Sequence, residues 1–343
     1  MRLGIPQYLD IAKEIISAKL LKRRYPLTLY IALTDYCPMS CIYCAIPSRD
    51  KRELPTELIL RVIHEASSLG LKRLQLVGGE PLMKKDLDQI IQAANRHRIF
   101  VTLTTSGTLI PQNIETLKNV DIVFVSLDGD EDVHDYHRGR GTFKKVSRGI
   151  KALKEARIPY WTTTVITKKN YERLEYVIDL AQEEGHLANF QLLYTNESVI
   201  KRHFHPTGIS ELALSHEERL QVCRQLKELK NKGKPIGSSI AYFDYLLKWP
   251  DLTATYSPER IGNITCSAGA FYCYLDTDEK LYPCGDAIGR TPGYPVTGPE
   301  GFKGAFNHLG PLPCESCIVA CNVEQNLLFS LNLKTILNWL HSI

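Results

Sequence analysis

Nine of the ten cysteines fall into two groups. Cys37-Pro-Met-Ser-Cys41-Ile-Tyr-Cys44 packs three thiols into one short loop, and Cys266, Cys273, Cys284, Cys314, Cys317 and Cys321 form a second, wider set. Three thiolates at the first spacing can hold three corners of a cubane iron–sulfur cluster and leave the fourth iron open to a ligand. Zinc would ordinarily take a fourth protein ligand, and no further cysteine or histidine is near in the sequence. The N-terminus has no apolar core or cleavage site of a signal peptide, so the clusters point to metal or redox chemistry rather than disulfides. Cys223 stands alone, and its helical spacing with Leu220 and Leu226 makes it a buried helix-face thiol.

Positioning these thiols needs a large, ordinary globular chain. The 343 residues are 44% hydrophobic and 23% charged, which excludes disorder, collagen-like repeats and a small disulfide scaffold. No uncharged apolar run is long enough to span a bilayer, so the expectation is a cytoplasmic chain. A net charge of +4 gives no case for nucleic-acid binding, and the excess sits in residues 1–26. From residue 27 to 235, short apolar runs alternate with amphipathic stretches. Strands are expected at Leu27–Leu33, Leu74–Val77, Phe100–Thr104, Ile122–Ser126, Tyr160–Val165 and Phe190–Leu193. The intervening helices fall at Glu57–Leu69, Asp86–His97, Ile114–Leu117, Phe143–Ala156, Tyr171–Glu183 and His216–Asn231. The repeated change of period from 2 to 3.6 argues for βα units around a parallel sheet or barrel. Beyond it come a hairpin, Ala270–Leu275 with Lys280–Tyr282, then a Gly/Pro-rich stretch from Gly285 to Pro313, and a closing helix at Leu327–Leu340. The expected divisions are 1–26, 27–235, 236–326 and 327–343.

The first cysteine loop follows the first strand, on the face where βα barrels do chemistry. Its Cys-x3-Cys-x2-Cys pattern, with an aromatic before the last cysteine, resembles the radical S-adenosylmethionine (SAM) superfamily. So do Gly78-Gly79-Glu80-Pro81 after the second strand, Thr105-Ser106-Gly107 after the third, Ser126-Leu127-Asp128-Gly129 at the end of the fourth, and His134-Asp135-Tyr136-His137-Arg138-Gly139 beyond it. The resemblance implies a partial (βα)6 TIM-like barrel with a small C-terminal α+β domain, and a [4Fe–4S] cluster on Cys37, Cys41 and Cys44 that binds exchangeable SAM. It also implies cosubstrate contacts. Gly78 and Gly79 would approach the methionine amino group, with Glu80 binding it or supporting the turn, and Ser106 is a further cosubstrate contact. Arg138 would meet the carboxylate, Ser126 and Asp128 the carboxylate or ribose, and Tyr43 the adenine.

The second group is similar to the SPASM and Twitch extensions of that superfamily, which carry auxiliary iron–sulfur clusters. Six cysteines suit one auxiliary [4Fe–4S] cluster better than two. Cys266 and Cys284 are the first two ligands, with two more from Cys314, Cys317 and Cys321; structural zinc is the alternative. Cys273, in mid-strand, is core or a further ligand. The loop from Tyr194 to Gly208 offers Glu197, His203 and His205 as substrate contacts, and Asp286 is a candidate proton acceptor. The implied activity is hydrogen-atom abstraction from an unactivated carbon by a 5′-deoxyadenosyl radical, in peptide modification or cofactor maturation, with a lipid or isoprenoid substrate as the alternative. A flavodoxin or ferredoxin-type electron donor is implied with it. The basic helix 8–24 either packs on the barrel or makes peripheral membrane contact through Lys22, Arg23 and Arg24. A non-catalytic metal scaffold and a zinc-dependent nucleic-acid binder are the readings from other classes.

Overall fold

A computed structural model describes residues 23–194 and 209–342, together with Lys13 and Ile16. Six βα steps come first: β1 (Thr28–Ala32), α1 (Thr56–Ser68), β2 (Arg73–Val77), α2 (Leu87–Arg96), β3 (Phe100–Thr105), α3 (Ile114–Leu117), β4 (Ile122–Ser126), α4 (Glu131–Arg138), α5 (Thr142–Glu155), β5 (Tyr160–Ile166), α6 (Glu175–Glu184) and β6 (Leu187–Leu192). These strands pair in parallel and in chain order. Alternation decides which way each side chain faces. Leu29, Ile31, Leu74, Leu76, Val101, Leu103, Val123 and Val125 are all fully buried in one core with the outer helices. Their neighbours Tyr30, Gln75, Thr102 and Phe124 point to the opposite face and line a lumen. Each fully buried Leu or Ile contributes about 1.5–3 kcal/mol.

The chain continues through α7 (Ile209–Leu212), α8 (His216–Asn231), α9 (Ile240–Leu246), β7 (Tyr256–Ser257), β8 (Tyr272–Leu275), β9 (Lys280–Tyr282), β10 (Tyr294–Pro295), α10 (Gly301–His308), β11 (Ser316–Cys317), α11 (Ala320–Phe329) and α12 (Leu333–Ser342). The hairpin strand β8 lies parallel to β1, so the sheet reads β10-β9-β8-β1-β2-β3-β4-β5-β6 and runs across the expected division near residue 235. The sheet does not close on itself. Helix α11 bridges β6 and β1: Ala320 N donates to Gln191 Oε1 at 3.2 Å on β6, and Gln325 Nε2 donates to Tyr30 OH at 2.5 Å on β1.

Four of the departures from expectation have a clear physical cause. Helix α4 buries Val133, His134, His137 and Arg138, a mostly polar face that hydrophobic periodicity cannot register; Asp130 caps it through Val133 N. Helix α6 starts four residues later than expected, because Asn170 folds the segment before it into a turn with Thr167. Helix α10 interrupts the Gly/Pro-rich stretch, burying Phe302, Ala305 and Phe306 while Glu65 accepts from Phe302 N at 2.6 Å. The closing helix is two helices. Leu331 takes φ +59°, and Asn332 then receives Thr335 N to start α12. Residues 8–22 lie outside the described residues except Lys13 and Ile16, but Arg24 is not free for a membrane: it donates to Gly269 O and Phe306 O and stacks 5.1 Å from the Phe306 ring.

Candidate active site

The glycine turn after β2 packs backbone to backbone against the entry to the cysteine loop. Gly79 N donates to Thr34 O at 2.6 Å and Glu80 N to Tyr36 O at 2.8 Å. A Cβ on Gly79 would sit 2.3 Å from Tyr36 O; Gly78 has φ +148°, and a Cβ there would meet Thr34 O at 2.7 Å. Both positions therefore exclude side chains. The loop is held from the far side by Ile42 N donating to His137 O at 2.9 Å, and internally by Cys44 N to Cys41 O at 3.0 Å. Tyr43 is buried with Leu193, Ile209 and Leu212, and Cys41 and Cys44 pack on that cluster. Burial pushes Cys37 up to about 12 and Cys41 up to about 11, with the Arg138 cation opposing the rise at Cys41. Cys44 is also raised by burial, against nearby backbone and cationic groups.

Glu80 is fully buried and accepts four hydrogen bonds, from Leu82 N at 3.2 Å, Thr105 Oγ1 at 2.7 Å, Ser106 N at 2.8 Å and Ser106 Oγ at 2.5 Å. It ties the loops after β2 and β3 together. Asp128 is similarly occupied, by Arg138 Nε at 2.7 Å, Arg138 Nη2 at 3.2 Å, Tyr43 OH at 2.5 Å and Val165 N at 3.0 Å. Burial pulls its carboxyl upward, but Arg138 overcomes this and holds it at about 2. Arg138 in turn lies 5.6 Å from the Tyr43 ring. Ser126, half buried at the end of β4, has no side-chain hydrogen bond within the described residues. The sequence reading assigns no role to His134, His137 or Asn170, yet all three are buried here: His134 Nδ1 accepts from Asp128 N, and Asn170 Nδ2 donates to Asp128 O at 2.8 Å. His134 and His137 stand in the segment His134–Gly139 already singled out, whereas Asn170 lies outside every motif.

The second group divides. Cys266, Cys284, Cys314 and Cys317 sit close enough for their charges to act on one another, with Asp286 beside them and Asn322 Nδ2 donating to it at 3.1 Å. Burial raises Cys284, Cys314 and Cys317, and Arg290 moderates the rise at Cys314. Cys273 is fully buried in the main core, and Cys223 in the core beneath β5 and β6. Cys321 lines the lumen with Tyr30 and Arg73 nearby, while Asp286, beside the other four thiols, also acts on it. Among the described residues, no three Cys, His, Asp or Glu side chains converge at the spacing that grips a single metal ion. Glu197, His203 and His205 lie outside the described residues.

The lumen itself is a cavity of about 320 Å³ running from Arg73 and Phe100 up to Val77, Thr104 and Val165. Val77 adjoins Gly78, and Val165 N binds Asp128, so the cavity ends directly beneath the glycine turn and the Asp128–Arg138 pair.

The Radical SAM superfamily model matches residues 31–181. A PqqA peptide cyclase of Granulibacter bethesdensis is 30% identical over 264 residues, covering 73% of this chain and 68% of the relative. An AdoMet-dependent heme synthase of Methanosarcina barkeri is 28% identical, covering 74% and 75%. The structure of Streptococcus suis SuiB bound to S-adenosylmethionine superposes with a TM-score of 0.63 at 18% identity, over 86% of this chain and 69% of that one, a likeness of fold. Motif order, barrel and relatives agree, and the chain belongs to the radical SAM superfamily.

Proposed function

We propose that this radical SAM enzyme holds a [4Fe–4S] cluster on Cys37, Cys41 and Cys44 and abstracts a hydrogen atom from an unactivated carbon of a substrate in the lumen. The observation that carries it is the meeting of the cysteine loop, glycine turn and Asp128–Arg138 pair over one cavity. When bound, the cluster and SAM supply one-electron cleavage to methionine and a 5′-deoxyadenosyl radical. The residues divide into braces and contacts. Glu80 and Asp128 have their acceptor directions filled by the protein's own donors, so they brace the site. Two nitrogens of Arg138 are committed to Asp128, which leaves Nη1 to meet a carboxylate. The free Ser126 hydroxyl and the bare backbone of Gly78 and Gly79 complete the contacts, and Tyr43 walls the adenine side.

An auxiliary [4Fe–4S] cluster fits Cys266, Cys284, Cys314 and Cys317, and Cys321 is left out of it. Four thiols close enough to act on one another could each take one iron of a cubane. A flavodoxin or ferredoxin-type protein would deliver the electron. The relatives' names support peptide modification or cofactor maturation. Among the described residues no helix is long and apolar enough to cross a membrane, and the engagement of Arg24 weakens the lipid-surface alternative. The test is an anaerobic assay with reductant. Methionine and 5′-deoxyadenosine should form in equal amounts, and replacing Cys37, Cys41 and Cys44 should abolish both; product formation by that variant would defeat the reading.

A further inference from the structure

Two ionic side chains facing the lumen are left with unmet hydrogen-bonding capacity. Arg73, at the base of β2, donates from Nη2 to Gln75 Oε1 at 3.1 Å and lies 5.3 Å from the Trp339 ring, but its buried Nε has no partner. Among the described residues no carboxylate forms an ion pair with it. Glu324, on α11, accepts from Ser239 N at 2.6 Å through Oε1, while its buried Oε2 has no partner. Both residues line the cavity, and they make no ion pair with each other. A half-buried guanidinium whose buried Nε lacks an acceptor and a buried carboxyl oxygen lacking a donor each leave a desolvation cost that a complementary ligand would offset. Phe124, Trp161 and Trp339 line the same cavity. Arg73 and Val77 are four residue steps apart on β2, so the chamber is roughly 13 Å deep at about 3.3 Å per step.

We propose that the lumen recognises an elongated ligand carrying an oxyanion for Arg73, a planar apolar body for Trp161 and Trp339, and a hydrogen-bond donor for Glu324. The inference rests on the reading that the lumen takes the substrate. It narrows the substrate class to amphoteric molecules, either a small metabolite or the C-terminal end of a peptide, both of which offer a carboxylate. Glu324 supports this chemistry, since burial lifts its carboxyl to about 7, against the pull of Ser239 N, and so lets it meet either a neutral donor or an ammonium group.

Two of the three tryptophans line the cavity, so binding to the reconstituted, SAM-loaded enzyme can be read by fluorescence quenching. The probe is 4-(aminomethyl)benzoate, which sets a carboxylate and an amine on opposite ends of a ring. Saturable quenching is expected, at least tenfold weaker in Arg73→Gln, partly restored in Arg73→Lys, and several-fold weaker in Glu324→Gln. With 4-methylbenzoate, which lacks the amine, the Glu324→Gln effect should vanish. A tripeptide ending in phenylalanine separates the sources: displacement of the probe by the free acid but not by the C-terminal amide indicates a peptide end, and no displacement by either indicates a metabolite. Equal binding of the probe to wild type and Arg73→Gln, absence of quenching in wild type, or displacement by dodecanoate of equal strength in both proteins would overturn the proposal, the last in favour of a lipid chamber. Iron content and circular dichroism establish that each variant is folded. Production of 5′-deoxyadenosine by the same wild-type preparation judges the radical reading separately.

Discussion

Asp128 and Arg138 show how a charged pair can be both buried and useful. The carboxylate is enclosed, accepts four hydrogen bonds, and holds the guanidinium against Tyr43. Removing one partner of such a pair strands the other, at a cost of about 3–5 kcal/mol. Asp128→Asn is therefore expected to lower stability by that order in urea unfolding and to weaken SAM binding at least tenfold by equilibrium dialysis. A variant that bound SAM normally would show that Arg138 needs no brace. Histidines set the acid limit. Burial, aided by Arg138, holds His134 at about 4, and burial does the same to His186. Unfolded, both rings take up protons below about 6.5; folded, they resist until about 4. Their contribution is thus complete above pH 6.5 and falls as pH drops through that window, by about 2 kcal/mol each at pH 5. Glu324, raised to about 7, titrates with the opposite sign over the same range, so the histidine part is read by comparison with a variant: between pH 7.5 and 5, His186→Phe should lose about 2 kcal/mol less stability than wild type in urea unfolding, and an equal loss in both would contradict the assignment.

At the scale of elements, the cysteine loop is clamped between two turns. On one side is the glycine turn, where Gly79→Ala would drive a methyl group into Tyr36 O. That substitution should leave the barrel folded by circular dichroism but reduce iron incorporation and SAM affinity together. On the other side Arg49 bridges buried carboxylates, Asp35 Oδ1 at 2.9 Å and Asp276 Oδ2 at 2.8 Å, while Thr277 Oγ1 donates to Asp35 at 3.0 Å. This network joins the loop to the β8–β9 turn across more than two hundred residues of sequence. Arg49→Leu should destabilise the protein by several kcal/mol, and Asp35→Asn in the same chain should recover part of the loss; strict additivity of the two would mean no coupling. Strands and amphipathic helices were legible because Leu29/Ile31 or Val123/Val125 repeat every second residue and the helices every 3.6. Helix α4 was not, because its buried face is His134, His137 and Arg138, and polar burial has no period of its own. The break at Leu331 was equally hidden, since a left-handed leucine between two helices leaves no signature in composition.

Across the whole molecule, the sequence made short motifs easier to read than the meeting of distant segments. Cys37, Cys41, Cys44 and Gly78–Glu80 declared themselves by spacing, whereas the sorting of the C-terminal thiols depends on contacts between distant segments. Cys314 and Cys317 meet Cys266 and Cys284, but four residues later α11 has turned Cys321 into the lumen. Arg73 and Glu324 were invisible for the same reason: one sits on a strand, the other on the helix that bridges β6 and β1. The most direct test of this two-site arrangement is iron content per chain after anaerobic reconstitution, in wild type, in the Cys37/Cys41/Cys44→Ala variant and in Cys321→Ala. Two cubane sites predict about eight, about four and about eight irons, respectively. Loss of about four irons in Cys321→Ala, or a wild type holding about four irons and one zinc, would contradict the account.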